Sequence, residues 1–152
     1  MNRLVQLVLA SSMAVCTAIV SYSVMAQTAM TAEASDTVFD HFGGKAGISK
    51  VIDDFLVIWQ GDPRISDRLA DADVDRLGAL LKEQVTQLTG GPANYSGKDM
   101  QTAHAQMGLH NADFNALAED LQLSMEKNGI ASRDQNRLLA KLAPMQKQIV
   151  TK

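Results

Sequence analysis

The chain is 152 residues long, enough for one domain with its own core and too short for two. Its 17 acidic and 14 basic residues are mixed along the sequence with no basic stripe, which excludes nucleic acid as a partner. The single cysteine, Cys16, excludes a disulfide framework.

MNR and the apolar run LVQLVLASSMAVCTAIV open the chain, and VMA places Val24 and Ala26 where a signal peptidase reads small residues. Residues 1–26 are therefore expected to be a secretory signal peptide cut after Ala26, so that the protein works outside the cytoplasm, in the periplasm. A retained anchor over 4–26 is the competing reading, because the segment is long enough to cross a bilayer. Cys16 follows Val15, a poor residue before a lipid-modified cysteine. Residues 27–35, QTAMTAEAS, are small and polar and read as a tether, leaving 36–152 as one domain without cysteine.

From there the pattern is helical. VFDHF at 38–42 is a short amphipathic piece ended by Gly43-Gly44. Ile48, Val51, Ile52, Phe55, Leu56 and Trp59 recur at spacings of three and four, predicting a helix over about 45–60 that Gly61-Asp62-Pro63 stops. Asp73 is a suitable cap for a helix whose stripe runs Val74, Leu77, Leu81, Val85, Leu88 to the Gly90-Gly91-Pro92 stop. Asn111 opens another, with Phe114, Leu117, Leu121 and Met125 on one face and Gly129 at its end. Ser132 with Gln135 has the spacing of a capping box, and Leu138, Leu142, Met145 and Ile149 make the last stripe. Pro144 falls inside that stripe and must interrupt its hydrogen bonding. No segment alternates as a strand does, so the fold class is all-α.

Nucleophilic catalysis needs an activated side chain beside a base, and zinc hydrolysis commonly shows histidine pairs at helical spacing; neither pattern is present. His41 reads as a surface histidine beside the Gly-Gly turn, and His110 as a solvated residue at a helix start. His104 is different, because Met100, His104 and Met107 fall at i, i+4 and i+7 and present sulfur, imidazole and sulfur on one face. Two readings stand at this point: a boundary histidine packed by methionines, or a ligand.

VFDHFGGKAGISKVIDDF at 38–55, DPRI at 62–65, GGPANYSGKDM at 90–100, His104 with Gly108-Leu109, Asp113-Phe114 and Leu142-Ala143-Pro144 together resemble the group I truncated haemoglobins. The resemblance runs from about Val38 to Val150 and implies a two-over-two helical sandwich. It also implies a haem b, held without a covalent link, whose iron is ligated by His104, the position matching the family's proximal histidine. Pro144 matches the family pattern as well. The residues then expected along the cofactor are Phe55, Leu77, Leu81 and Val85, then Met100 and Met107, then Phe114, Leu117, Leu121 and Leu142, with Leu138 beside them. A neutral imidazole on haem iron leaves the opposite position open to a diatomic gas.

The chain departs from the family on the ligand side. Leu56 stands where a distal tyrosine is common, Leu81 where a glutamine is common, and Leu77 lies one turn earlier. Leu69, beside Arg68, replaces the phenylalanine that usually wedges the haem. These positions predict an apolar distal pocket that takes CO and NO well and holds oxygen weakly. Lys82 points off the apolar stripe and is a weak sixth ligand, and Arg68 is either a contact to a haem propionate or solvated. Three function classes remain: a protein that reversibly binds O2, CO or NO, a haem enzyme with nitric oxide dioxygenase or peroxidase-like chemistry served by an unidentified redox partner, or a haem-free helical binding or sensor module.

Overall fold

Thr37 opens the first helix with a capping box: its hydroxyl accepts the Asp40 N–H at 3.2 Å while the Asp40 carboxylate takes the Thr37 hydroxyl at 2.6 Å. The computed structural model describes residues 36–152, so the expected signal peptide (1–26) and tether (27–35) lie outside the described residues. Helix α1, Val38–His41, passes through Gly43 and Gly44, both at positive φ, into α2, Gly44–Gly61. Gly47 is required at this junction, because a Cβ there would lie 1.7 Å from the Phe42 carbonyl oxygen.

Helix α2 buries Ile48, Val51, Ile52, Phe55, Leu56 and Trp59, the stripe anticipated from their spacing. The Trp59 indole donates to the Ile65 carbonyl at 3.0 Å and fixes the turn after α2, which continues into the 3₁₀ segment Ser66–Leu69. Asp73 caps α3, Val74–Thr89, by accepting the Arg76 N–H at 3.0 Å. Next come the short α4, Met100–His104, then α5, Asn111–Lys127, and α6, Ser132–Leu142. The chain describes one turn of 3₁₀ helix at Ala143–Met145 before α7, Gln146–Ile149. Pro144, which has no N–H and whose ring crowds the preceding turn, sits in that interruption.

The capping box expected at Ser132 and Gln135 does not form. Ala131 is the cap residue, Ser132 is already helical, and the Gln135 amide turns back to donate to the Ile130 carbonyl at 2.8 Å. Gln135 is buried, so its amide serves a carbonyl within reach instead of a solvent-exposed N–H.

Helices α2 and α3 form one pair and α5 and α6 the other, meeting through α2 on α5 and α3 on α6. This is the two-over-two arrangement that the resemblance implies. Met125, Leu138, Ile48 and Val51 are fully enclosed at the centre. The Ser124 hydroxyl donates to the Val51 carbonyl at 2.6 Å, satisfying its own buried oxygen while tying α5 to α2. Among the described residues no helix is long and apolar enough to cross a membrane.

Candidate functional site

The segment from Gly90 to Met100 is laced to α3 by polar side chains. Gln87 accepts the Tyr95 N–H at 2.8 Å, and the Glu83 carboxylate accepts the Ser96 N–H at 2.9 Å and its hydroxyl at 2.7 Å. The side-chain bond from Ser96, with the backbone bond, holds the Glu83 carboxyl below its ordinary pKa. The glycines permit close contact: a Cβ on Gly91 would meet the Phe39 ring at 2.3 Å, and one on Gly97 would meet the Tyr95 hydroxyl at 2.2 Å. Burial pushes the Tyr95 phenol up. Asp99 then caps α4 by accepting the Thr102 N–H at 2.8 Å, and α4 ends on His104.

His104 Nδ1 lies 2.7 Å from the Met100 carbonyl oxygen, one turn earlier. A carbonyl only accepts, so the proton belongs on Nδ1 and the Nε2 lone pair is left for a ligand. The imidazole lines a cavity of about 610 Å³ bounded by α2, α3, α4, α5 and the chain after Leu142. That volume falls within the roughly 300–1,000 Å³ of cofactor and ligand pockets.

The structure brings together on this wall His104, Phe55, Leu77, Leu81, Met100, Met107, Phe114, Leu117, Leu121 and Leu142. Val85 and Leu138 do not line it; both are buried in the central core, because the α3 stripe turns inward beyond Leu81 and α6 presents Leu138 to α2 and α5. Leu56 is also absent from the wall. It is buried against α3, with Cδ1 3.0 Å from where a Cβ on Gly78 would lie, so the small residue on α3 draws it into the helix contact. Leu69 is buried and in the wall. Lys82 is outside it, paired with Asp53 at 2.7 Å.

Sequence reasoning overlooked other wall residues. Trp59 continues the stripe of Ile52 and Phe55, and Met145 and Ile149 continue that of Leu142, so each was within reach of the same periodicity. Tyr95 stood in the Gly-rich motif without an assigned role. Gln84, whose amide nitrogen lies 3.5 Å from the Met100 sulfur and 3.8 Å from that of Met145, carried no apolar signal at all.

His41 and His110 lie away from the cavity. His41 is no free surface group: Nδ1 is 3.0 Å from the buried Asp134 carboxylate and Nε2 contacts Asp36, and the bond to Asp134 raises its pKa, followed by that to Asp36. His110 is exposed at the start of α5, and its N–H donates to Asp113 at 2.8 Å.

These residues fit a haem. Leu77, Leu81, Phe114, Leu117 and Leu142 are only partly buried by their own chain, so a flat apolar ring between α3 and α5 would remove their surface from water. The imidazole presents its lone pair in the same wall, and the buried Nε of Arg68 is a donor without a partner beside it. No cysteine lies in 36–152, which rules out thioether attachment there.

The model of the bacterial-like globin family matches residues 37–151. The group 1 truncated hemoglobin GlbN of a Nostoc strain is 27% identical over 116 residues, covering 76% of this chain and 98% of that protein. Its Synechocystis counterpart is 31% identical over 98 residues, covering 62% and 79%. Among solved structures, truncated hemoglobin from Tetrahymena pyriformis in the Fe(III) form superposes with a TM-score of 0.73 at 26% identity, covering 76% of this chain and 99% of that one.

Proposed function

Because the chain belongs to the bacterial-like globin family, we propose that it holds a haem b without covalent attachment, ligates the iron through His104 Nε2, and reversibly binds a diatomic gas, O2, CO or NO. The observation that carries this reading is the His104 imidazole in the cavity wall with Nδ1 committed to the Met100 carbonyl at 2.7 Å. Haem iron supplies the open coordination position at which such a gas binds. The Met100 carbonyl fixes the tautomer and ring plane of His104, and Asp99 sets the start of the short helix that carries it.

Leu77 and Leu81 give the cavity side of α3 an aliphatic surface, and no histidine lies on α3 to compete for the iron. Oxygen is then held with less hydrogen bonding than in a globin with a distal tyrosine or glutamine, and CO and NO, which need less, are favoured.

Hemin titration of the purified protein tests the reading. One equivalent is expected to give a sharp Soret band and a five-coordinate ferrous spectrum, and His104→Ala is expected to lose the latter. Equal, non-saturating uptake by both proteins overturns it. We further propose export to the periplasm with cleavage after Ala26; N-terminal sequencing of protein from the cell envelope is expected to begin at Gln27, and a chain beginning at Met1 contradicts it.

A further inference from the structure

Arg68 belongs to the Ser66–Leu69 turn and stands where the large cavity meets a smaller recess beside His104, for its side chain lines both. A guanidinium carries a fixed charge and five donors in a rigid fork. Here those donors are poorly served. Nη2 reaches Asp113 Oδ1 at 3.4 Å, a long contact, and Nε lies 3.8 Å from Asp67 Oδ1, beyond hydrogen-bond range. Nε is nonetheless buried and has no hydrogen-bond partner.

Arg64, at the other end of the same connection, is the contrast. Its Nε donates to both Asp62 oxygens at 2.9 and 3.1 Å and its Nη1 to Glu119 at 2.6 Å. Asp113 does not do the same for Arg68, because it already accepts the His110 N–H at 2.8 Å, and that bond, ahead of the Arg68 charge, depresses its carboxyl pKa. Arg76 and Lys98, also on the cavity wall, are exposed, so water completes their donors. Arg68 alone among these three cations keeps a buried donor at the cavity, an arrangement that an anion completes.

We infer that Arg68 is the carboxylate anchor of the cavity: Nε and a free Nη proton take a carboxylate of the bound porphyrin, while Asp113 steadies the other edge of the guanidinium. The inference rests on the haem-binding reading above. It makes the cavity selective for a carboxylate-bearing apolar disc over an uncharged disc of the same shape.

Trp59, the chain's only tryptophan, lines the cavity, so its fluorescence reads porphyrin binding without any contribution from iron. Iron-free protoporphyrin IX and its dimethyl ester are titrated into the wild-type protein and Arg68→Met. The wild type is expected to prefer the free acid by about tenfold, the scale of one charge-assisted hydrogen-bonded pair. Arg68→Met is expected to lose that preference by weakening the acid alone, and Arg68→Lys, which keeps the charge but not the fork, to retain part of it. Should Arg68→Met fail to fold by circular dichroism, Arg68→Lys carries the comparison. An unchanged preference in the variants, or equal weakening of acid and ester, overturns the inference. So does a preserved preference accompanied by weaker cyanide binding to the ferric haem form, which assigns Arg68 to an iron-bound anion instead. A wild type that binds neither hemin nor porphyrin refutes the haem reading itself.

Discussion

Leu81→Gln puts an amide donor into the cavity wall at the position where the ligand side is most plainly aliphatic. Leu81 is half-buried in the middle of α3, and glutamine has nearly the same helix propensity, so the helix is retained. The stability lost is about 1 kcal/mol, a fraction of the roughly 1.5–3 kcal/mol for complete burial of a leucine. A hydrogen bond to a charge-bearing acceptor contributes about 1.5–3 kcal/mol. At about 1.36 kcal/mol per decade, the oxygen dissociation rate is expected to fall roughly ten- to hundredfold. CO carries little charge, and its dissociation rate is expected to change by less than about threefold, on the order of half the energy of a neutral hydrogen bond. Stopped-flow displacement of each gas from the ferrous protein measures both rates. If the variant is folded and oxygen and CO rates shift together or not at all, Leu81 does not face the bound gas and the assignment of the ligand side to α3 is wrong.

Gly47→Ala forces a methyl group to within 1.7 Å of the Phe42 carbonyl, and moving backbone to relieve it should cost about 3 kcal/mol; urea unfolding reads this, and a loss below about 1 kcal/mol would show that α1 shifts freely on α2. His41 has a raised pKa, through Asp134 first and Asp36 second, with Arg133 Nη2 3.4 Å from Nδ1 opposing the charge. Its contribution to stability is therefore complete below the unfolded value of about 6.5 and is lost as pH rises through the higher folded value. His41→Gln is expected to flatten the fall in Tm above about pH 6.5, and parallel Tm curves for the two proteins would remove His41 from the linkage.

The fold was legible wherever burial imposed a period. The α2 stripe from Ile48 to Trp59 emerges in the structure as six buried side chains, and Asp73, Gly90 and Pro144 mark helix limits for backbone reasons that a sequence displays directly. What periodicity could not do was divide one stripe between two environments. Leu77, Leu81 and Val85 are equivalent in spacing, yet the first two face the cavity and the third faces the core, a distinction made by the helices that α3 meets. Leu56 holds the position where the resemblance implies a ligand-side residue, but Gly78 opens a gap on α3 that its side chain fills. Polar wall residues were the least visible. Gln84 reads as a solvent-facing position on an amphipathic helix, and the buried Nε of Arg68 depends on where Asp113 and Asp67 end up. His104 was singled out by its methionine neighbours and by resemblance, while its tautomer follows only from the Met100 carbonyl.

The most direct test of His104 as the iron ligand is replacement of its side chain by free imidazole. His104→Gly is loaded with hemin, and ferrous and CO spectra are recorded with and without imidazole. The account predicts that the variant alone lacks the five-coordinate histidine-ligated ferrous spectrum and that imidazole restores it, because the ligand is the ring and the chain supplies only its placement. A variant whose spectra match wild type without imidazole contradicts the account and moves the iron to another side chain.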